Sequence, residues 1–398
     1  MTYLILFLLI PLMLVTALLT FEVLVGLWPL TSVAGPPLTV SATIIVPAHN
    51  EEDIIARTLA ALAAAAEGVA HILVVADNCS DSTATIARSL SLKVIERSDL
   101  TRIGKGFALD FARAELRTAP PEVVMVIDAD CRVDRDSLRA LIDAAARDNR
   151  PAQAINLLEP ALDGSVVKQV STFAFLIKNL VRQRALHRLA GQARLTGTGM
   201  AFPWSFFDEA DLATGNIVED LKLGIELAAV GRGARLIERA RVWSPAAPES
   251  AAMAQRQRWE GGMMATARQV VPTALFAAIR RADPRALLAA LDLCIPPLAL
   301  LLMLDVAAIA LLSVVTVVAG SQWWPLAIHA AILAAAGLAI ILAWRREGKA
   351  FLTLRALARI PYYVLSKLPL YLKIGRRGKP QTWIRTDRAL GADERANE

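Results

Sequence analysis

Cysteine is scarce in this chain. Among 398 residues there are three, Cys79, Cys131 and Cys294. They lie far apart and form no Cys-x-x-Cys pair. That excludes a disulfide framework and a cysteine zinc site, and it suits a reducing compartment. Lysine and arginine are missing from residues 1–30, which carry one charge, Glu22. A secretory signal peptide opens with a basic region and has a shorter apolar stretch, so this segment is expected to be an uncleaved membrane helix. Basic residues are missing again near residue 320. The chain has no internal repeat and no low-complexity tract, only a polar tail after about residue 385. A phosphate loop of the ATPase kind is also missing, because the spacing around Gly104-Lys105-Gly106 does not match it.

What is abundant is apolar surface. Hydrophobic residues make up 55% of the chain and the mean hydropathy is +0.46, too apolar for an ordinary soluble enzyme. The excess sits at the two ends. After residues 1–30, two further spans are expected at 287–319 and 323–344, separated by Gly320-Ser321-Gln322, with Trp323, Trp324 and Trp344 at belt positions. Asp292 and Asp305 lie in or near the second span, and carboxylates there are functional candidates by default. The net charge is +6, but its cations flank apolar segments. Membrane lipids, not nucleic acid, are the partner this implies.

The basic residues fall in 38–285, in Arg345-Arg346-Glu347-Gly348-Lys349 and in Arg376-Arg377-Gly378-Lys379. By the positive-inside rule the central domain is cytoplasmic and the N-terminus outside, in a multi-pass inner-membrane protein. Residues 351–374 mix Arg and Lys with Tyr and Leu and contain two prolines, which reads as interfacial helices. The division expected is therefore a membrane helix at 1–30, a cytoplasmic domain at 38–285, two spans within 287–344, interfacial helices at 351–375 and a polar tail at 376–398.

Inside the central domain strand and helix patterns alternate. Strands are predicted at Thr43–Val46, His71–Val75, Lys93–Glu96 and Val123–Ile127. Helices are predicted at Glu51–Ala66, Asp81–Ser89 and Gly106–Arg117. This alternation implies parallel βαβ units, with ligands at the carboxyl ends of the strands.

The motifs fall at those ends. Asp128-Ala129-Asp130 follows an apolar strand; two carboxylates there suit a hard divalent cation that also takes oxygens from a nucleoside diphosphate, although a solvated turn would look the same. Asp77 can accept from a nucleobase N–H, while Asp81 reads as a helix cap. The first strand ends in Pro47-Ala48-His49-Asn50-Glu51-Glu52, a loop able to close over a base unless Asn50 simply caps a helix. Lys105, beside Gly104 and Gly106 at a helix start, suits a phosphate. Gly197, Thr198 and Gly199 permit close approach of a ligand or form a tight turn. Glu219-Asp220 offers either a general base or a helix N-terminal acidic pair. Gln255, Arg258 and Trp259 share a helical face, as a diphosphate and sugar site or as a basic helix near a membrane.

Taken in order, Pro47…Asn50-Glu51, Asp77, Gly104-Lys105-Gly106, Asp128-x-Asp130, Gly197-x-Gly199, Glu219-Asp220 and Gln255-x-x-Arg258-Trp259 resemble glycosyltransferase family two over about residues 40–270. That family includes cellulose, chitin and hyaluronan synthases, and ceramide glucosyltransferases share a similar motif set. The resemblance implies an α/β fold of GT-A type, Rossmann-like with a mainly parallel sheet, joined here to transmembrane and interfacial helices. It implies an inverting, metal-dependent transferase using Mg2+ or Mn2+ and a nucleotide sugar, UDP-linked by preference. Asp77 would contact the base, with Pro47, Asn50 and Glu51 on the donor side. Asp128 and Asp130 would hold metal and diphosphate, and Lys105 would lie near the phosphates. Asp220, with Glu219 beside it, would be the catalytic base. Gln255, Arg258 and Trp259 would hold the diphosphate, with Trp259, Gly197, Thr198 and Gly199 toward the acceptor.

Three spans are fewer than a polymer channel needs within one chain. The expectation is transfer of a sugar to a lipid-linked or membrane-embedded acceptor, in glycolipid or exopolysaccharide synthesis. The alternatives are a processive polysaccharide synthase acting as an oligomer or with an export partner, and a non-catalytic nucleotide-sugar-binding regulator.

Overall fold

The structure is a computed structural model, and it describes residues 2–31, 35–214, 218–246, 249–367 and 371. The polar tail expected at 376–398, and the end of the interfacial segment at 372–375, lie outside these. The chain divides into two compact units. One contains Leu30–Glu159 and Gly191–Thr266; the other contains the chain up to Pro29, Pro160–Ala190 and Ala267–Gly378.

The first unit is built on an eight-stranded sheet. Its strands are β1 (Ala42–Ala48), β2 (His71–Asp77), β3 (Lys93–Arg97), β4 (Val123–Val126), β5 (Arg132–Val133), β6 (Ala152–Leu158), β7 (Met200–Pro203) and β8 (Arg235–Ser244). Their spatial order is β3-β2-β1-β4-β7-β6-β8-β5. The β3-β2-β1-β4 half is parallel throughout. β7 then enters antiparallel to both β4 and β6, and β6 pairs parallel with β8. The alternating pattern of residues 43–127 is thus recovered, with boundaries moved by a residue or two. The first helix starts later than predicted, at Ile55 rather than Glu51, because Glu51 and Glu52 are drawn into loop contacts described below.

The central strands β1 and β4 are buried on both faces, so their side chains alternate between two cores. Ile44, Val46, Val123, Met125 and Ile127 face one core with Ile55, Leu59, Leu138 and Leu141. Ile45, Val124 and Val126 face the other with Leu109, Ala112, Phe206 and Phe207. Each such side chain, fully buried, contributes about 1.5–3 kcal/mol. The helix Ile55–Ala66 buries Ile55, Leu59, Leu62 and Ala66, one stripe at helical spacing on an alanine-rich body. The helix Arg135–Asp148 is capped by Asp134, whose side chain accepts from Ser137 N, and ends at Asn149 in the left-handed region.

Among the described residues, the second unit holds three helices long and apolar enough to cross a membrane, with spans Phe7–Val25, Leu298–Val318 and Trp324–Gly348. The single helix expected from residue 287 is instead two, Pro284–Asp292 and Leu298–Val318. Pro296 and Pro297 interrupt it by removing backbone donors. Short helices follow at Leu354–Ala358 and Ile360–Ser366.

Charges buried in this unit have named partners. Arg182 donates from Nε to Glu22 Oε2 at 2.7 Å and from Nη2 to Asp292 Oδ1 at 2.7 Å. Asp305 accepts from Thr16 Oγ1 at 2.9 Å and faces His329 Nε2 at 3.1 Å. Both carboxylates singled out in the sequence therefore sit in polar contacts, as the cost of isolated charge in an apolar layer requires.

The Thr16–Asp305–His329 cluster yields a prediction. Asp305→Leu removes the carboxylate facing His329 and leaves Thr16 only the Leu12 carbonyl, and should lower stability in detergent by about 1–2 kcal/mol, measured by reversible denaturation. No loss would mean Thr16 and His329 find other partners.

Candidate active site

Strand direction brings the motifs to one edge. β1, β2 and β4 are parallel, so Asn50, Asp77 and Asp128 follow the same ends of neighbouring strands. β7 is antiparallel to β4, with Val126 opposite Met200. Its entry turn, Thr196–Gly199, therefore meets the exit of β4. Gly199 N donates to Val126 O at 2.9 Å, and Asp128 N donates to Thr198 Oγ1 at 3.1 Å. Gly197 and Gly199 adopt φ of +83° and +66°, the left-handed region that favours glycine.

At the β1–β2 end the loops are laced together. Asn50, at φ 53°, does not cap a helix; its Oδ1 accepts from Ser80 N at 2.7 Å. Glu51 N donates to Thr83 Oγ1 at 2.7 Å. Glu52 N donates to Asp81 Oδ2, and Glu52 Oε2 accepts from Ser82 N. Asp81 Oδ1 accepts from Thr83 N, close to its predicted capping role. Pro47 lies within β1 itself. These residues shape the loops around Asp77.

Asp77 is buried and its Oδ1 accepts from Arg97 Nη1 at 2.7 Å. Burial pushes its carboxyl up, and Arg97 partly reverses that. Arg97, directly across the β2–β3 ladder from Asp77, was not singled out in the sequence. Only the strand pairing reveals it.

Lys105 opens the helix Lys105–Leu116 after Gly104 at φ 140°. Its Nζ donates to Asp128 Oδ1 and to Gly197 O at 2.6 Å. Gly106 must be glycine for packing, since a Cβ there would lie 2.4 Å from Leu212 O. Asp220 reaches the same place: a Cβ on Gly197 would lie 3.3 Å from Asp220 Oδ2 and 3.7 Å from Lys105 Nζ. Glu219 and Asp220 also occupy the first turn of the helix Glu219–Ala229. Burial opposes the charge on Lys105, but Asp128 and Glu219 outweigh it and hold the ammonium above the ordinary lysine range. Burial, then the Asp220 charge, push the Glu219 carboxyl up to about 8.

Ligand atoms of Asp128, Asp130 and Cys131 lie within 4.8 Å of one another, close enough to hold a metal ion. Burial and the two aspartates push the Cys131 thiol well up, so the thiolate form is disfavoured and the donors offered are two carboxylates, a hard-cation set. Gln255 and Arg258 are half-buried and Trp259 is 41% exposed, all on the helix Glu249–Arg280.

Gln153, fully buried on β6, was also passed over in the sequence. Its Oε1 accepts from Thr196 N at 3.0 Å and its Nε2 donates to Thr198 O at 3.0 Å, which fixes the glycine turn. Polar residues within an otherwise apolar strand, Gln153 and Asn156, were the available signal.

Glu219 carries a pH prediction. Its native pKa lies above the ordinary 4.5, so the folded state favours the neutral form. Wild-type stability relative to Glu219→Gln should therefore fall as pH rises from about 5 to about 8 and level off beyond. Melting both proteins across that range checks it; a constant difference would show an ordinary carboxyl.

The chain matches the family described as Glycosyltransferase like family 2 over residues 37–262. No curated protein matches it. Among solved structures it is similar to the mannosyltransferase PcManGT from Pyrobaculum calidifontis, in complex with GDP-Man and Mn2+. The identity is 19% and the TM-score 0.54, covering 93% of this chain and 97% of that one. It is also similar to glucosyl-3-phosphoglycerate synthase from Mycobacterium tuberculosis, in complex with Mn2+, UDP and phosphoglyceric acid, at 18% identity and TM-score 0.42, covering 60% and 86%. The likeness to the first agrees with the GT-A fold expected from the sequence. With the family match spanning more than half of its length, the chain belongs to the glycosyltransferase-like family 2.

Proposed function

We propose that this protein is a membrane-anchored, inverting glycosyltransferase that moves a sugar from a nucleoside-diphosphate donor to a lipid-linked or membrane-embedded acceptor. The observation that carries the reading is the convergence of Lys105, Asp128 and Asp220 on Gly197, in a chain that belongs to this family. The three apolar helices support a membrane setting. The Lys and Arg distribution supports a cytoplasmic catalytic unit and an external N-terminus.

Asp77 would accept from a base N–H, with Asn50 and Glu51 shaping the loop around it. Asp128 and Asp130 would hold Mg2+ or Mn2+; the complex of the similar mannosyltransferase with GDP-Man contains Mn2+. A divalent cation bound there offsets charge building on the leaving diphosphate. Lys105 lies close enough to Asp128 to share that task. Asp220 would take the proton from the acceptor hydroxyl as its oxygen attacks the anomeric carbon. One such displacement turns an α-linked donor into a β-linked product and needs no covalent intermediate. Gln255, Arg258 and Trp259 would bind the diphosphate and the acceptor side. UDP remains the donor proposed from the motif resemblance, and a GDP-sugar is the comparison to run beside it.

Two variants separate base from metal ligand. Asp220→Asn should still bind a nucleoside diphosphate with Mn2+, yet release diphosphate from its donor about 10²–10⁴-fold more slowly. Asp130→Ala should lose the Mn2+-dependent nucleotide binding itself. Calorimetry and a diphosphate-release assay on purified protein read both. Near-full turnover by Asp220→Asn would remove it from the base role.

A further inference from the structure

Lys105 is placed differently from a residue that only awaits a phosphate. Its ammonium donates to Asp128 Oδ1 and to the Gly197 carbonyl at 2.6 Å. Its side chain is 19% exposed against 35% for Asp128, so the pair is partly screened from water. Asp220 Oδ2 lies beside the same glycine, 3.3 Å from where a Gly197 Cβ would sit, against 3.7 Å for Lys105 Nζ. One carboxylate of the Asp128–Asp130 pair therefore has a protein cation on it. Both attachment points are rigid: the Gly197 turn is fixed by Gln153, and Lys105 is anchored at a helix start by the close approach of Gly106 to Leu212 O.

We infer that Lys105 is an internal counter-ion for Asp128 that makes divalent-cation binding depend on the nucleotide. The inference rests on the metal assignment proposed above. A divalent cation approaching Asp128 meets the ammonium at short range, where two like charges repel strongly in a partly desolvated site. A nucleoside diphosphate gives Lys105 a new anionic partner, and the ammonium can leave Asp128 for it without losing its compensation. Cation and nucleotide then bind much better together than apart, and by linkage each raises the affinity of the other by the same factor. Lys105 acts here as a positioning residue. It offsets the charge of Asp128, Glu219 and Asp220 before the donor arrives and couples the two ligands when it does.

The test measures free Mn2+ by electron paramagnetic resonance during titration of the full-length protein in detergent, with and without saturating UDP or GDP. Wild type should bind Mn2+ at least tenfold more tightly with the nucleotide that it prefers. Lys105→Met should bind Mn2+ without nucleotide at least tenfold more tightly than wild type, and nucleotide should then change that affinity less than threefold. Lys105→Arg keeps the charge and should keep wild-type-like weak binding of Mn2+ alone, which separates charge from packing. Melting curves identify any variant that fails to fold, and the charge-conserving and charge-removing pair still decides. If wild type shows the nucleotide effect and Lys105→Met keeps it, with no gain for Mn2+ alone, the counter-ion role is overturned while the metal site stands. If wild type binds no Mn2+ with either nucleotide, the metal assignment falls, and this inference with it.

Discussion

Negative charge crowded onto one sheet edge is the constraint around which the catalytic unit is arranged. Asp128, Asp130, Glu219 and Asp220 are brought together by strand direction and by the turn at Gly197. Their mutual repulsion in a partly dry site must be offset for the unit to fold. Two answers are visible. Lys105 donates to Asp128, and Glu219 takes up its proton far more readily than an exposed glutamate. A site built this way is strained toward cations and anionic ligands that carry cations with them. That is the electrostatic form of an appetite for a metal nucleotide.

Rigidity around the cluster comes from neutral groups. Gln153 fixes the glycine turn, Thr198 accepts from the Asp128 backbone, and two cores clamp the sheet from either face. In the unit that carries the apolar helices, the same rule appears with different partners. Arg182 stands between Glu22 and Asp292, and Asp305 is shared by Thr16 and His329. Charges buried there serve to tie helices together, which gives Asp292 and Asp305 a structural account.

The first half of the sheet was readable from sequence because residues 43–127 repeat one simple grammar: an apolar run, a polar turn, an amphipathic helix. Asp77 and Asp128 were legible because each ends such a run, and Lys105 because it stands between two glycines at a helix start. After Asp130 the grammar fails. β7 is four residues long and antiparallel, and β6 and β8 find each other across more than seventy residues. No local pattern announces those pairings. Arg97 and Gln153 were missed for the same reason, since their partners lie far along the chain, in β2 and in the turn that leads into β7. Asn50 looked like a cap and is instead a loop bridge, a choice set by its left-handed backbone. The apolar helix expected from residue 287 was drawn too long because composition alone outweighed the Pro296-Pro297 break.

The most direct check of the account is a structure with a nucleoside diphosphate and Mn2+, with the metal located by its anomalous scattering. The account predicts Mn2+ on Asp128 and Asp130, the base against Asp77, and the Lys105 ammonium on a phosphate oxygen in place of Asp128. Mn2+ bound elsewhere, or a nucleotide seated away from the exits of β1, β2 and β4, would contradict it.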